Sequence, residues 1–240
     1  MSASTLTFHS PRPVELGSIN QADFDTLAAT CHEIGTKYAT PDLWHVSPDC
    51  IDYKIEPDGT VSVITNTEDD YDGSWSANKY TLQPTTGEES RLVVDALKPF
   101  TAAGQGWLHE DETVIAGFYR SLLTPGAEGA WHPDSSSAEE NFKALLFYDS
   151  LPTQFAIGSL VLDPSHMAQP PTPYVMHQLL SHGRIRMGIE QKPAELVIVD
   201  GPPPLKAVGI THEHLHRARP VPASASGTFR NLLRLVTIRP

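Results

Sequence analysis

From Gly106 onward the chain is a succession of short β-prone runs: "TVIAGFYRSLL", "FKALLFYDS", "FAIGSLVLD", "YVMHQLL", "RIRMGIE", "ELVIVDG", "AVGITHEHLH" and "TFRNLLRLVTI". Pro, Gly, Asp and Ser punctuate most of the gaps. Strands this short each bury one face only by facing another sheet. A series of them with turn residues between therefore predicts a double-sheet jelly roll or barrel.

The first part of the chain has a different texture. In "INQADFDTLAATCHEIGTKY" the residues Phe24, Leu27, Ala28, Cys31 and Ile34 recur at helical spacing, with Asn20 placed to cap. "IDYKIEPDGTVSVIT" predicts a hairpin about Pro57-Asp58-Gly59. "EESRLVVDALKPF" predicts a second helix with Leu92, Val93, Leu97 and Phe100 on one face, and the polar "NTEDDYDGSWSANKY" between them predicts a loop. No boundary signal separates these parts. The expected organisation is one domain that is mainly β with flanking helices: a helical and hairpin extension over 1–106, packed on the sheet of a jelly-roll core over 107–240.

Charge and cysteine content narrow the function. The formal net charge is -12, spread along the chain, which disfavours nucleic acid and anionic membranes as partners because both reward clustered Lys and Arg. The two cysteines, Cys31 and Cys50, form no disulfide framework, and the N-terminus has no basic region followed by an apolar run. Both features point to a reduced, cytoplasmic setting, and no run is long enough to span a membrane.

The segment "THEHLHRARP" places His212, His214 and His216 at alternate positions and spells His-Glu-x-x-His. In a zinc hydrolase that spelling works because a helix brings residues i and i+4 to one face. Prolines, glycines and β-branched residues before the run, and Pro220 after it, argue for a strand instead. On a strand all three histidines would share one face. Upstream, "GAWHPDSSS" carries His132 and Asp134 two apart. Such a pair with one distant histidine makes a two-His-one-carboxylate triad that leaves coordination positions open, the arrangement of non-haem Fe(II) oxygenases. Downstream, Arg230 lies in the otherwise apolar last run, where an arginine needs a carboxylate partner. Arg234 shares its strand face and is the rival anchor. The other readings of these residues are a zinc hydrolase using His212, Glu213 and His216, and a non-catalytic jelly-roll protein that keeps a metal for structure. Of the three, only the oxygenase needs the arginine.

The pieces "WHPD", "FAIGSLVL", "LHRARPV" and "TFRNLLRLVTI", in this order and spacing, resemble the Fe(II)/2-oxoglutarate-dependent dioxygenases of the isoleucine 4-hydroxylase type, which act on free aliphatic amino acids. The resemblance runs from about Val114 to Ile238. It implies a double-stranded β-helix, a cupin-like jelly roll. It implies His132, Asp134 and His216 as iron ligands, Arg230 as the anchor of 2-oxoglutarate, O2 as co-oxidant and ascorbate as a stimulant. His212 and His214 have no counterpart in it. The implied reaction is hydroxylation of an unactivated C–H bond of a free aliphatic L-amino acid or similar small metabolite, with ring closure or desaturation as variants. A zwitterionic substrate needs a cation and an apolar wall, for which Arg120 and Trp131 are the candidates.

Overall fold

Asn20 opens the first helix as its spacing predicts. Its side chain accepts from the Asp23 N–H, and the Asp23 carboxylate accepts from the Asn20 N–H, a closed capping box at the head of α1, Gln21–Tyr38. Thr86 and Glu89 repeat the device at the head of α2, Gly87–Ala103. The computed structural model describes residues 6–39, 46–65, 81–109, 111–126, 131–133, 143–162, 196–225 and 227–238. The expected loop over 66–80 and the runs "YVMHQLL" and "RIRMGIE" lie outside the described residues.

Five strands belong to the first part of the chain: β1, Leu6–Ser10; β2, Val14–Ser18; β3, Cys50–Ile55; β4, Val61–Thr65; and β5, Thr81–Pro84. Eight follow: β6, Thr113–Leu122; β7, His132–Pro133; β8, Lys143–Tyr148; β9, Thr153–Leu162; β10, Leu196–Asp200; β11, Lys206–Thr211; β12, Leu215–Ala218; and β13, Phe229–Ile238. They form two sheets with antiparallel pairing. The larger runs β2-β11-β8-β13-β6-β3-β4-β5, and the smaller runs β1-β9-β12-β7 with β10 also on β9. From β6 to β13 the chain visits the sheets in the order large, small, large, small, small, large, small, large. That alternation is a double-stranded β-helix, so the core is the jelly roll expected from the strand series.

The hairpin over β3 and β4 turns at Gly59, whose φ of 84° is open to glycine. It does not pack on the sheet as expected. It joins it, with β3 paired to β6 along Cys50–Ile55, so the first part of the chain widens the large sheet and only the helices lie across it. β1 and β2 were not expected at all, and each adds an edge to a different sheet.

Strand alternation divides the core. Leu145, Phe147, Leu233 and Leu235 face the helices, where Phe24 of α1, Phe100 of α2 and Phe147 of β8 meet edge to face at 5.2 and 5.1 Å. Leu146, Tyr148, Leu232 and Val236 face inward, toward Phe155 of the small sheet. Because side chains alternate along β13, Arg230, Leu232 and Arg234 all belong to this inner face. The sequence thus puts two arginines inside the jelly roll, opposite the strand that carries His216.

Candidate active site

The histidine run is neither one helix nor one strand. β11 ends at Thr211, the chain turns through His212 and Glu213 with the His214 N–H donating to the Thr211 carbonyl at 3.1 Å, and β12 begins at Leu215 in the other sheet. The helical geometry that a His-Glu-x-x-His zinc site requires is absent from this segment. The three histidines also share no common strand face, because a turn separates His212 and His214 from His216.

His214 has a structural role. Its Nδ1 accepts from the Thr211 N–H at 2.9 Å, and its Nε2 donates to the Arg12 carbonyl at 3.2 Å. Burial holds its pKa below the ordinary histidine value, which favours the neutral ring that this pattern requires. Ser10 completes the tie, its hydroxyl accepting from the Leu215 N–H at 2.9 Å. The N-terminal segment is thereby fastened to the start of β12. His214→Ala is expected to lower unfolding free energy by roughly 1–3 kcal/mol in chemical denaturation, since it leaves the Thr211 N–H and Arg12 carbonyl without this partner. Metal affinity should survive.

His216 is buried, and its Nδ1 faces the His214 carbonyl at 3.1 Å. A carbonyl only accepts, so Nδ1 carries the proton and Nε2 the lone pair. This is how backbone carbonyls orient metal-binding imidazoles. Its ring lies 5.8 Å from that of Phe155, its Cα partner on β9. On the other side β12 pairs with β7, and the Cα partner of His216 is His132. Residues directly opposed in an antiparallel pair share a sheet face, so the backbone brings these two expected ligand positions together. Asp134 lies outside the described residues. Among the described residues no group of three His, Cys, Asp or Glu gathers, and His216 is the one expected ligand whose side chain is described.

Arg230 is 8% exposed. Its Nη2 donates to Thr153 Oγ1 at 3.0 Å, its guanidinium lies 5.5 Å from the centre of the Tyr148 ring, and its buried Nε has no hydrogen-bond partner among the described residues. Burial lowers its pKa. The nearby Asp149 carboxylate acts on Arg230 only through space, its oxygens being taken by Asn231, so a buried guanidinium bonded to one neutral hydroxyl keeps capacity for an anion. A cavity of about 200 Å³ opens beside it, lined by Arg230 with Tyr119, Ser121, Leu123, Leu151 and Leu232 among others. Thr153 precedes Phe155 by two residues on β9, a step of about 7 Å along a strand, and Phe155 opposes His216. The anion site and the histidine therefore share the interior, one strand repeat apart. This donor set fits one carboxylate of a small ligand.

Arg234 has different surroundings. It is the Cα partner of Gly117, which is also the Cα partner of Asp52. A methyl on Gly117 would stand 2.5 Å from Asp52 Oδ1 and 2.7 Å from the Tyr119 hydroxyl, which itself donates to Asp52 at 2.8 Å. The Arg234 charge acts on Tyr119 alongside that of Asp52. Arg234 thus belongs to an internal polar row with an acid in it, whereas Arg230 faces the cavity.

The two expected substrate contacts fall elsewhere. Arg120 is a neighbour of Tyr119 and Ser121 on β6 and so faces the opposite side from the cavity. It ion-pairs with Asp49 at 3.8 Å and lies 4.3 Å over the Phe229 ring. Trp131 is buried, but it packs under the Arg217 guanidinium at 4.6 Å, and Arg217 follows His216 and so projects from the other face of β12. Thr153 and Tyr148 escaped the sequence reading. A threonine heading an apolar run was their one signal.

No protein-family model matches the sequence, and no curated protein does. Solved structures are similar. AviO1 from Streptomyces viridochromogenes Tue57 aligns over 96% of this chain and 91% of its own, at 11% identity and a TM-score of 0.43. IDO from Bacillus thuringiensis aligns over 94% and 89%, at 10% identity and 0.40. The Kdo hydroxylase KdoO, a non-heme Fe(II) alphaketoglutarate dependent dioxygenase, aligns over 98% and 80%, at 13% identity and 0.42. Among the described residues no helix is long and apolar enough to cross a membrane.

Proposed function

We propose that the protein is an Fe(II)- and 2-oxoglutarate-dependent dioxygenase that oxidises a small metabolite, with a free aliphatic L-amino acid as the expected substrate class. The observation that carries this reading is Arg230: a buried guanidinium in a jelly-roll cavity, its Nε without a partner among the described residues, one strand repeat from the position facing His216. A structural metal site or a hydrolase would have no use for it.

In this reading His132, Asp134 and His216 hold the iron and Arg230 holds the distal carboxylate of 2-oxoglutarate. Together these cofactors supply O2-driven oxidation of an unactivated C–H bond, with release of succinate and CO2. The chain's own contribution is placement. The His214 carbonyl keeps the proton of His216 on Nδ1, so that Nε2 is the ligating atom. Thr153 fixes the plane of the Arg230 guanidinium. Phe155, with Leu232 and Tyr148, lines the interior with apolar surface that excludes water around these groups.

The test is succinate formation from 2-oxoglutarate with Fe(II) and ascorbate over a panel of free amino acids, read with the mass of the amino acid. Gain of one oxygen, or loss of two hydrogens for ring closure or desaturation, on leucine, isoleucine, valine or methionine supports the reading. Oxidation of a peptide or carrier-bound substrate with none on the panel would overturn the substrate class. No succinate under any condition would overturn the reaction.

A further inference from the structure

We propose that Trp131 and Arg217 form a clamp on the outer face of the small sheet that sets the register of β7 against β12, and so holds His132 opposite His216; both are positioning residues, and the inference rests on the metal site proposed above. Among the described residues β7 meets β12 at two pairs, and Pro133 in one of them has no N–H to give the ladder. A ladder with a donor missing holds its register less firmly, and a slip of one residue would send His132 to the other face.

The outer face supplies what the ladder lacks. The pairs Leu215 with Pro133 and His216 with His132 put Arg217 opposite Trp131 when continued by one residue. The contact is made there: the Arg217 guanidinium stands 4.6 Å from the indole centre, and Trp131 is only 3% exposed. Arg217 is itself held. Its Nε donates to Gln154 Oε1 at 3.2 Å, Gln154 Nε2 donates to Asp200 Oδ1 at 3.2 Å, and Arg219 pairs with Asp200 at 2.9 Å. Gln154 is the Cα partner of both Arg217 and Asp200. A polar row therefore crosses β12, β9 and β10 and ends on the indole beside β7, next to the row that joins His132, His216 and Phe155. An arginine suits the post because a planar guanidinium stacks flat on the ring while its Nε keeps a hydrogen bond in a fixed geometry, which a compact lysine ammonium does not reproduce.

The test is Mn(II) affinity, measured by EPR titration of the full chain, with thermal melting recorded on the same samples. Trp131→Leu and Arg217→Leu are each expected to weaken Mn(II) binding by roughly ten- to a hundredfold, as removal of groups that orient metal ligands does. The double variant should be little worse than either single, since both break the same stacked pair. Trp131→Phe should recover most of the affinity. Arg217→Lys, which keeps the charge on a partly exposed side chain, should melt near wild type and still bind Mn(II) several-fold more weakly. A merely structural pair would lower the melting temperature and leave Mn(II) affinity untouched, and that result overturns the clamp. So does a double variant whose loss equals the product of the singles. His216→Ala separates the two levels: if it binds Mn(II) like wild type, the metal site itself is wrong, and if it alone loses Mn(II), only the clamp is.

Discussion

Replacing His216 with alanine is expected to remove Mn(II) binding and 2-oxoglutarate turnover together, both to below detection. The ring is buried, its proton is directed to the His214 carbonyl, and its backbone is registered on His132. A methyl group supplies no lone pair, and the surrounding Phe155 and Leu215 supply none either. A triad that must leave positions open for cosubstrate and O2 has no spare ligand to compensate. His132→Ala and Asp134→Ala should behave alike. His212→Ala should retain metal and turnover, because His212 sits on the turn ahead of β12. EPR titration with Mn(II) and a succinate assay on the same preparations make the check. Retention of metal by His216→Ala, with loss in His212→Ala, would show that the turn and not the strand carries the ligand.

The jelly roll was legible because its strands are apolar on one face or both and turn residues separate them. Strands β2 and β5 were not, for a shared reason. "VELGS" and "TLQP" are mostly exposed edge strands that bury little, so the first carries only the brief alternation of Val14 and Leu16 and the second none. The histidine run misled in a specific way. Period two was carried through Thr211, but the hydrogen bonds of Thr211 to His214 close a turn there and move the chain from one sheet to the other. Arg120 and Trp131 show the limit of reasoning by proximity along the chain. Each neighbours a residue of the expected site, and neighbours on a strand face opposite ways. The choice between Arg230 and Arg234 was beyond sequence altogether, since both lie on one face of β13. Their cross-strand company separates them: Thr153 and the cavity for the first, Gly117 and Asp52 for the second.

That difference sets the second large effect. Arg230→Ala is expected to raise the 2-oxoglutarate KM about thirty- to a thousandfold, corresponding to about 2–4 kcal/mol for removing a charge-assisted hydrogen bond from a buried site. With the guanidinium gone, a carboxylate entering the cavity would meet neutral hydroxyls, the apolar lining of Leu151 and Leu232, and Arg219, whose charge is already paired with Asp200. Desolvating it there loses the one buried guanidinium of the lining, and Arg219, partly exposed and paired with Asp200, compensates little. Arg230→Lys should recover part of the affinity, because an ammonium keeps the charge and gives up the planar fork. Mn(II) affinity in the absence of 2-oxoglutarate should not change in either variant, since the contacts of Arg230 among the described residues are with Thr153 and Tyr148 and not with His216. Arg234→Ala should move the KM far less and act on stability instead, because its charge belongs to the row of Gly117, Asp52 and Tyr119. Steady-state kinetics against 2-oxoglutarate, with substrate saturating, distinguishes the two. If Arg234→Ala produces the large KM increase and Arg230→Ala does not, the cosubstrate lies further along β13, over Gly117, and Arg230 is a structural cation held by Thr153 and Tyr148.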